Sequence, residues 1–207
     1  MKNIDQIIAS LTLDEKISML SGFNTWYTYK INERNIPSIK MSDGPNGVRG
    51  DSNSGKSSAC FPCAISIGST WDLNLIKNLG VALGEEAQAK DVDVLLGPTI
   101  NIHRHPLGGR HFESFSEDPL LTGKIASNYV QGVQSKNVAA CLKHFVGNDT
   151  EYERHSISSN IDEQTLREIY LLPFEMGIKD GNAKVVMSAY NKLNNIFCSS
   201  HQELLIN

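Results

Sequence analysis

The chain has 207 residues, 40% of them hydrophobic and 20% charged, and a net charge of −4. That is enough apolar material for a packed core, and it excludes a disordered chain. The mildly acidic balance disfavours a nucleic-acid or anionic-membrane partner, either of which selects a basic face, and no apolar run approaches the ~18 residues of a membrane span.

The elements follow in chain order. Residues 1–16 contain no apolar leader core, so no signal peptide is read and a cytoplasmic location is expected. Thr12-Leu-Asp-Glu15 has the spacing of a capping box, which predicts a helix to about Leu20. Ile39–Met41 reads as a short strand ending in the turn Ser42-Asp43-Gly44-Pro45. Cys60-Phe-Pro-Cys63 is formally C-x-x-C, but it precedes a strand-like run, Ala64–Gly68, where a redox motif would open a helix. A zinc site would need a second such pair, and four cysteines make no disulfide scaffold. Asp72 can cap a helix to about Lys90, with Leu73, Ile76, Leu79 and Leu83 at helical spacing. Val92–Leu96 is the third predicted strand. A long polar loop spans 101–117, and Asp118-Pro119 opens the next helix with Asp at the N-cap and Pro at N1. Val138–Leu142 is the fourth strand, a helix runs from Asp162 to about Lys179, and Val185–Ser188 is the fifth strand. Ser200-His-Gln-Glu203 repeats the capping-box spacing one turn before the sequence ends.

Strands separated by helices imply an α/β fold with a parallel sheet. Five units in this length suit a partial (β/α)8 TIM-type barrel, since closure takes eight strands and ~250 residues. The chain is therefore expected to be the N-terminal portion of a longer protein. By itself it would leave open sheet edges and be marginally stable.

Loops after the carboxyl ends of barrel strands carry chemistry. Asp43 and Arg49 follow the first strand. Asn101, His103, Arg104 and Arg110 follow the third, Lys143 and His144 the fourth, and Tyr190 and Asn191 the fifth. One acceptor carboxylate facing several donors suits a neutral polyol, whose hydroxyls both donate and accept. Each residue also has a plainer use. Asp43 can make an Asx turn, and Arg104 and Arg110 can staple loops. Glu113 fits best as an anchor for a nearby arginine. His103-Arg-His105 has metal-like spacing, but neighbouring arginines repel a cation, so neither metal nor cofactor is expected. A lysine directly after an apolar strand is also compatible with a Schiff-base aldolase.

The chain resembles the N-terminal domain of glycoside hydrolase family 3, in its β-glucosidase branch. The resemblance rests on SDGPNGVRG (42–50), FPCAISIGSTWD (61–72), LGPTINIHRHPLGGRHFESFSEDP (96–119), CLKHFVGNDTEYERHS (141–156), DEQTLREIYLLPFE (162–175) and VMSAYNKLN (186–194), in family order. It implies a retaining hydrolase acting on terminal β-D-glucosyl residues of a β-glucoside or cello-oligosaccharide. By motif match, Asp43 would hold hydroxyls at the far side of the glycone. Arg49, Arg110, Lys143, His144 and Arg154 would line the same pocket, with Met187 and Tyr190 near the nucleophile. The nucleophilic Asp and the acid/base Glu are expected beyond Asn207, so residues 1–207 would form the first part of the barrel domain and lack turnover. Asp rather than Glu at position 43 favours the glucosidase branch over the β-xylosidases. The Asp-Ser-His dyad of the β-N-acetylglucosaminidases is missing where Glu153-Arg154-His155-Ser156 stands. His105 and His111 depart from the family's common Ser or Asn. A β-xylosidase or other β-glycosidase of the same family, or a non-catalytic, sugar-binding fragment, remains the alternative, and the sequence sets no oligomeric state.

Overall fold

The computed structural model describes residues 4–50 and 56–206. Two short helices, α1 (Ile4–Ser10) and α2 (Leu13–Met19), lead the chain. The Thr12 capping box forms as expected: Thr12 Oγ1 accepts from the Glu15 amide at 3.2 Å, and the Thr12 amide donates to Glu15 Oε2 at 2.7 Å. Helix α1 was not anticipated, and the absence of an apolar leader was read partly from residues outside the described ones. Among the described residues, no helix is long and apolar enough to cross a membrane.

Strands β1 (Met41–Asp43), β2 (Val94–Leu96), β3 (Ala139–Phe145) and β5 (Val185–Ser188) form one parallel sheet in the order β1-β2-β3-β5. The order advances in one direction, without the reversal of an open doubly wound sheet. Helices α4 (Leu73–Ala89), α5 (Pro119–Gln134) and α7 (Leu172–Lys179) pack in succession, α4 on α5 and α5 on α7. Side-by-side helices along a sheet of sequential order are the arrangement of a barrel wall.

The core lies between them. Leu83, Leu95, Ile125, Val130 and Leu142 are fully buried there. Two glycines set the α4–α5 approach. A Cβ on Gly80 would stand 2.5 Å from the Tyr129 carbonyl oxygen, and one on Gly132 would stand 2.2 Å from that of Lys77. The predicted caps hold the helices: Asp72 accepts from the Asn74 and Leu75 amides, Asp118 from Leu121, and Asp162 from Thr165. The last cap opens the short helix α6 (Glu163–Thr165), which continues through a π-helical stretch, Leu166–Leu171, into α7. The stretch ends just before Pro173, which has no amide to donate.

Two predicted elements differ. Ala64–Gly68 is helix α3, not a strand, so four strands rather than five build the parallel sheet. Its buried residues are Ala64, Ile67 and Gly68, a helical i, i+3, i+4 face, although the apolar alternation also fits period two. The run after C-x-x-C is therefore helical, and Cys60 and Cys63 are exposed free thiols, with Cys63 at the N-cap of this five-residue helix. The second capping box does not form. Ser200 closes a 3-10 turn and its hydroxyl donates to the Phe197 carbonyl at 3.3 Å, so helix α8 (Gln202–Leu205) starts at His201 without a side-chain cap.

A small second sheet, unanticipated, joins β4 (Ser158–Ser159), β6 (Lys192–Leu193) and β7 (Ile196–Phe197). Its β6–β7 hairpin turns on Asn194 and Asn195, both at positive φ, the backbone of a type I′ turn.

Candidate active site

Parallel pairing puts the carboxyl ends of the strands on one side, and there a cleft of about 720 Å³ opens. Asp43, Arg110, Lys143, His144, Arg154, Met187 and Tyr190 all line it, together with Trp26, Leu96, Ser188, Ala189 and Ser199. Seven of the eight residues singled out in the sequence thus converge. Arg49 does not line the cleft. Its side chain is 75% exposed and reaches the site through Asp43, at 3.8 Å.

Asp43 is the last residue of β1, not part of the following loop. The chain turns sharply behind it: Gly44 has φ of 119°, and a Cβ there would lie 1.8 Å from the Gly47 carbonyl oxygen. The returning loop is pinned to α4. Glu86 accepts from the amides of Val48 (3.1 Å) and Ala59 (2.7 Å), and the buried Lys90 donates to the Val48 carbonyl, Ser58 Oγ and Glu86.

Lys143 and His144 lie inside β3, which runs three residues further than predicted. Successive strand residues normally face opposite sides, yet both line the cleft. The pairing with β5 explains this. Lys143 pairs with Met187 and Phe145 with the next residue, Ser188, a bulge that re-aims the side chains between. Lys143 Nζ donates to Asp43 Oδ1 at 3.2 Å and lies 3.9 Å from Glu113 Oε2. Its nitrogen is engaged by two carboxylates rather than left open to a carbonyl substrate, which counts against the aldolase reading. Burial alone would raise the Asp43 carboxyl. The Lys143 charge and hydrogen bond, the Gly44 amide and Arg49 outweigh it and hold the group below the ordinary carboxylate range.

His144 is 5% exposed. Asn101 grips it from both sides: Nδ2 donates to the His144 carbonyl at 2.9 Å, and Oδ1 accepts from the His144 amide at 2.9 Å and faces Nδ1 at 3.2 Å. With Nδ1 as the donor, Nε2 is an acceptor facing Arg110 at 3.5 Å. Burial first, then the charges of Lys143, Arg110 and Arg154, push the imidazole down to about 3, so it is neutral at physiological pH.

Arg110 donates through Nε to Glu113, in a short contact, and lies 4.0 Å from Glu151. Arg154 pairs with Glu151 at 2.7 Å, and its guanidinium sits 5.2 Å from the centre of the Tyr190 ring. A continuous alternation results: Arg49, Asp43, Lys143, Glu113, Arg110, Glu151, Arg154. The expectation that Glu113 anchors an arginine holds. Glu113 is buried and also accepts from Thr99 Oγ1 at 2.9 Å. Arg104 lies outside the cleft and donates to the Tyr170 hydroxyl at 3.0 Å. His103 Nε2 meets the carbonyls of His111 and Ser114, and His105 Nδ1 accepts from the Leu107 amide.

Sequence reasoning missed Trp26, Glu86, Lys90 and Glu151, and left Asn101 without a role. Trp26 is carried into the cleft wall by the antiparallel bridge Tyr27–Lys40, a pairing without a local sequence signal. Asn101 was recoverable in principle, since a buried polar side chain beside a strand end needs partners.

The profile described as the glycosyl hydrolase family 3 N-terminal domain matches residues 4–207. A β-glucosidase of Rhizobium radiobacter is 53% identical over 204 residues, covering 98% of this chain and 25% of that protein. The structure of β-glucosidase from Kluyveromyces marxianus in complex with glucose superposes with a TM-score of 0.95 at 47% identity, over 99% of this chain and 25% of that one. β-Glucosidase 3B from Thermotoga neapolitana, solved with glucose, matches at a TM-score of 0.94 and 40% identity, over 99% of this chain and 32% of that one. This chain spans about a quarter of the length of the curated relatives it matches. With its α/β architecture and parallel sheet, the chain belongs to glycosyl hydrolase family 3 and corresponds to part of the barrel-type N-terminal domain of the β-glucosidases.

Proposed function

We propose that the cleft is the glycone-binding half of a retaining β-glucosidase site, acting on terminal β-D-glucosyl residues of a β-glucoside or cello-oligosaccharide. The observation that carries the reading is the convergence of an ionised Asp43, a neutral His144 and the paired cations Lys143, Arg110 and Arg154 on one cleft. Asp43 is an acceptor for vicinal hydroxyls, and the cations are donors only. Nε2 of His144 accepts, and Tyr190 does either. Such a lining matches a neutral sugar hydroxyl by hydroxyl. Donors held by ion pairs do not reorganise as the ring flattens toward an oxocarbenium-like transition state, where their bonds to the sugar tighten. Arg49 would steady Asp43 from outside, and Met187, paired in register with Lys143, would pack beside the sugar ring.

Retaining hydrolysis needs two carboxyl groups about 5–5.5 Å apart. Asp43 is the one carboxylate lining the cleft among the described residues and is committed to Lys143, while Glu113 and Glu151, behind the lining, are committed to Arg110 and Arg154. The nucleophile and acid/base are therefore assigned to sequence outside these 207 residues. Residues 1–207 are expected to bind glucose and gluconolactone in titration calorimetry and to leave an aryl β-glucoside intact. Joined to the remaining length of the Kluyveromyces marxianus relative, they are expected to hydrolyse it with retention, read from the first anomer in an NMR time course. Lys143-dependent turnover by residues 1–207 alone, or inversion by the joined protein, would overturn the proposal.

A further inference from the structure

We infer that Glu113 is a positioning residue that holds Arg110 and Lys143 as one rigid donor pair facing the sugar. The inference rests on the proposed reading of the cleft. Glu113 itself does not line the cleft but lies behind the two cations that do. Its Oε1 accepts from Arg110 Nε, and its Oε2 accepts from Thr99 Oγ1 at 2.9 Å while facing Lys143 Nζ at 3.9 Å. Its side chain is 7% exposed and that of Lys143 4% exposed, so little water screens the attraction between these two charges, while Arg110 keeps 29% of its side chain exposed toward the cleft.

The geometry gives each oxygen a separate duty. Arg110 uses Nε toward Glu113, which leaves its terminal nitrogens for His144, Glu151 and the cleft. Lys143 divides its charge between Asp43 in front and Glu113 behind. Both long side chains carry high rotamer entropy, and a shared buried counter-ion removes that freedom before ligand arrives. Thr99 is fixed in turn, because its backbone bridges to that of Lys143 on β3. A carboxylate so placed cannot reach the reacting atoms, so its influence passes through the donors it aims.

The test is titration calorimetry of the protein with glucose and its monodeoxy analogues, with a thermal melt alongside. Glu113→Gln is expected to keep a cooperative melt and weaken glucose about tenfold or more, the loss expected from a charge-assisted contact. It should also flatten the analogue profile. The penalty for deleting a hydroxyl that meets Arg110 or Lys143 shrinks severalfold, while penalties at other positions stay. Unchanged affinity, or an equal loss across every analogue, would overturn the inference, because damage that is only structural has no positional signature. Should Glu113→Gln fail to fold, the near-isosteric Thr99→Val loosens the same carboxylate and should reshape the profile on a smaller scale; an unaltered profile there overturns it. If the unmodified protein binds no glucose, the functional reading fails first. The Arg110 Nε–H resonance then decides the role of Glu113 alone: a proton protected from exchange supports it, and one in fast exchange removes it.

Discussion

The two walls of the cleft are built differently. One is borne on strand β3, where Lys143 and His144 are 3% and 5% exposed and are held by Asp43, Glu113 and Asn101. The other is borne on loops: Tyr190 is largely exposed, Arg154 is steadied by one carboxylate and one aromatic face, and Arg49, outside the cleft, backs Asp43 from solvent. Backbone pairing places the first set before any ligand arrives, whereas the second relies on contacts that solvent screens. Strand-borne groups should therefore carry most of the affinity and couple to stability, and loop-borne groups should do neither.

The largest effect tests the buried wall. Lys143→Met should weaken glucose binding at least a hundredfold and cost about 2 kcal/mol of stability. That is less than the full price of stranding a buried charge, because Asp43 is partly exposed and Glu113 keeps Arg110. Calorimetry and chemical denaturation measure both; a loss below threefold would erase the contrast between the walls.

The next effect is a pH dependence. His144 is held neutral, down to about 3 against an ordinary 6.5, so the unfolded chain takes up a proton before the folded one. The resulting stability is fully present above pH 6.5 and drains as pH falls toward 3, at up to about 1.4 kcal/mol per unit. Asp43 adds a further loss below its unfolded value of 3.8, as pH falls through its depressed folded value. Denaturation midpoints between pH 7 and 4 should slope accordingly, and His144→Gln should flatten that slope. A wild-type midpoint independent of pH would show that the ring titrates in the fold as it does in the unfolded chain.

The smallest effect sharpens the comparison from the other side. Arg49→Ala should shift stability by no more than about 0.5 kcal/mol and glucose affinity by less than about threefold, as for other exposed ion pairs. A larger loss would show that Arg49, though outside the cleft, is part of the buried charge network.

Local chemistry was legible in the chain itself. Thr12, Asp72, Asp118 and Asp162 cap helices because the signal and its partner lie within three residues. The alternation of apolar runs and helical stripes gave the parallel α/β class, and the order of motifs identified the family. Where two periodicities fit the same five residues, as at Ala64–Gly68, only packing decided: Ala64, Ile67 and Gly68 are the side buried against the core, which is a helical face. The Ser200 box failed for a similar reason, since a 3-10 turn took its hydroxyl.

By itself, then, the sequence determined which residue types stand near strand ends, because burial patterns and caps act over a few positions. Tertiary structure decided which of them meet. Asp43 and Lys143 are a hundred residues apart, and their contact depends on the register of three strands. The β3 bulge turns consecutive residues to one side, and Glu113, already paired locally with Arg110, is brought to Lys143 only by the fold. Charge pairing across such distances is a property of the packed sheet, since no local preference encodes a partner that only folding brings within about 4 Å.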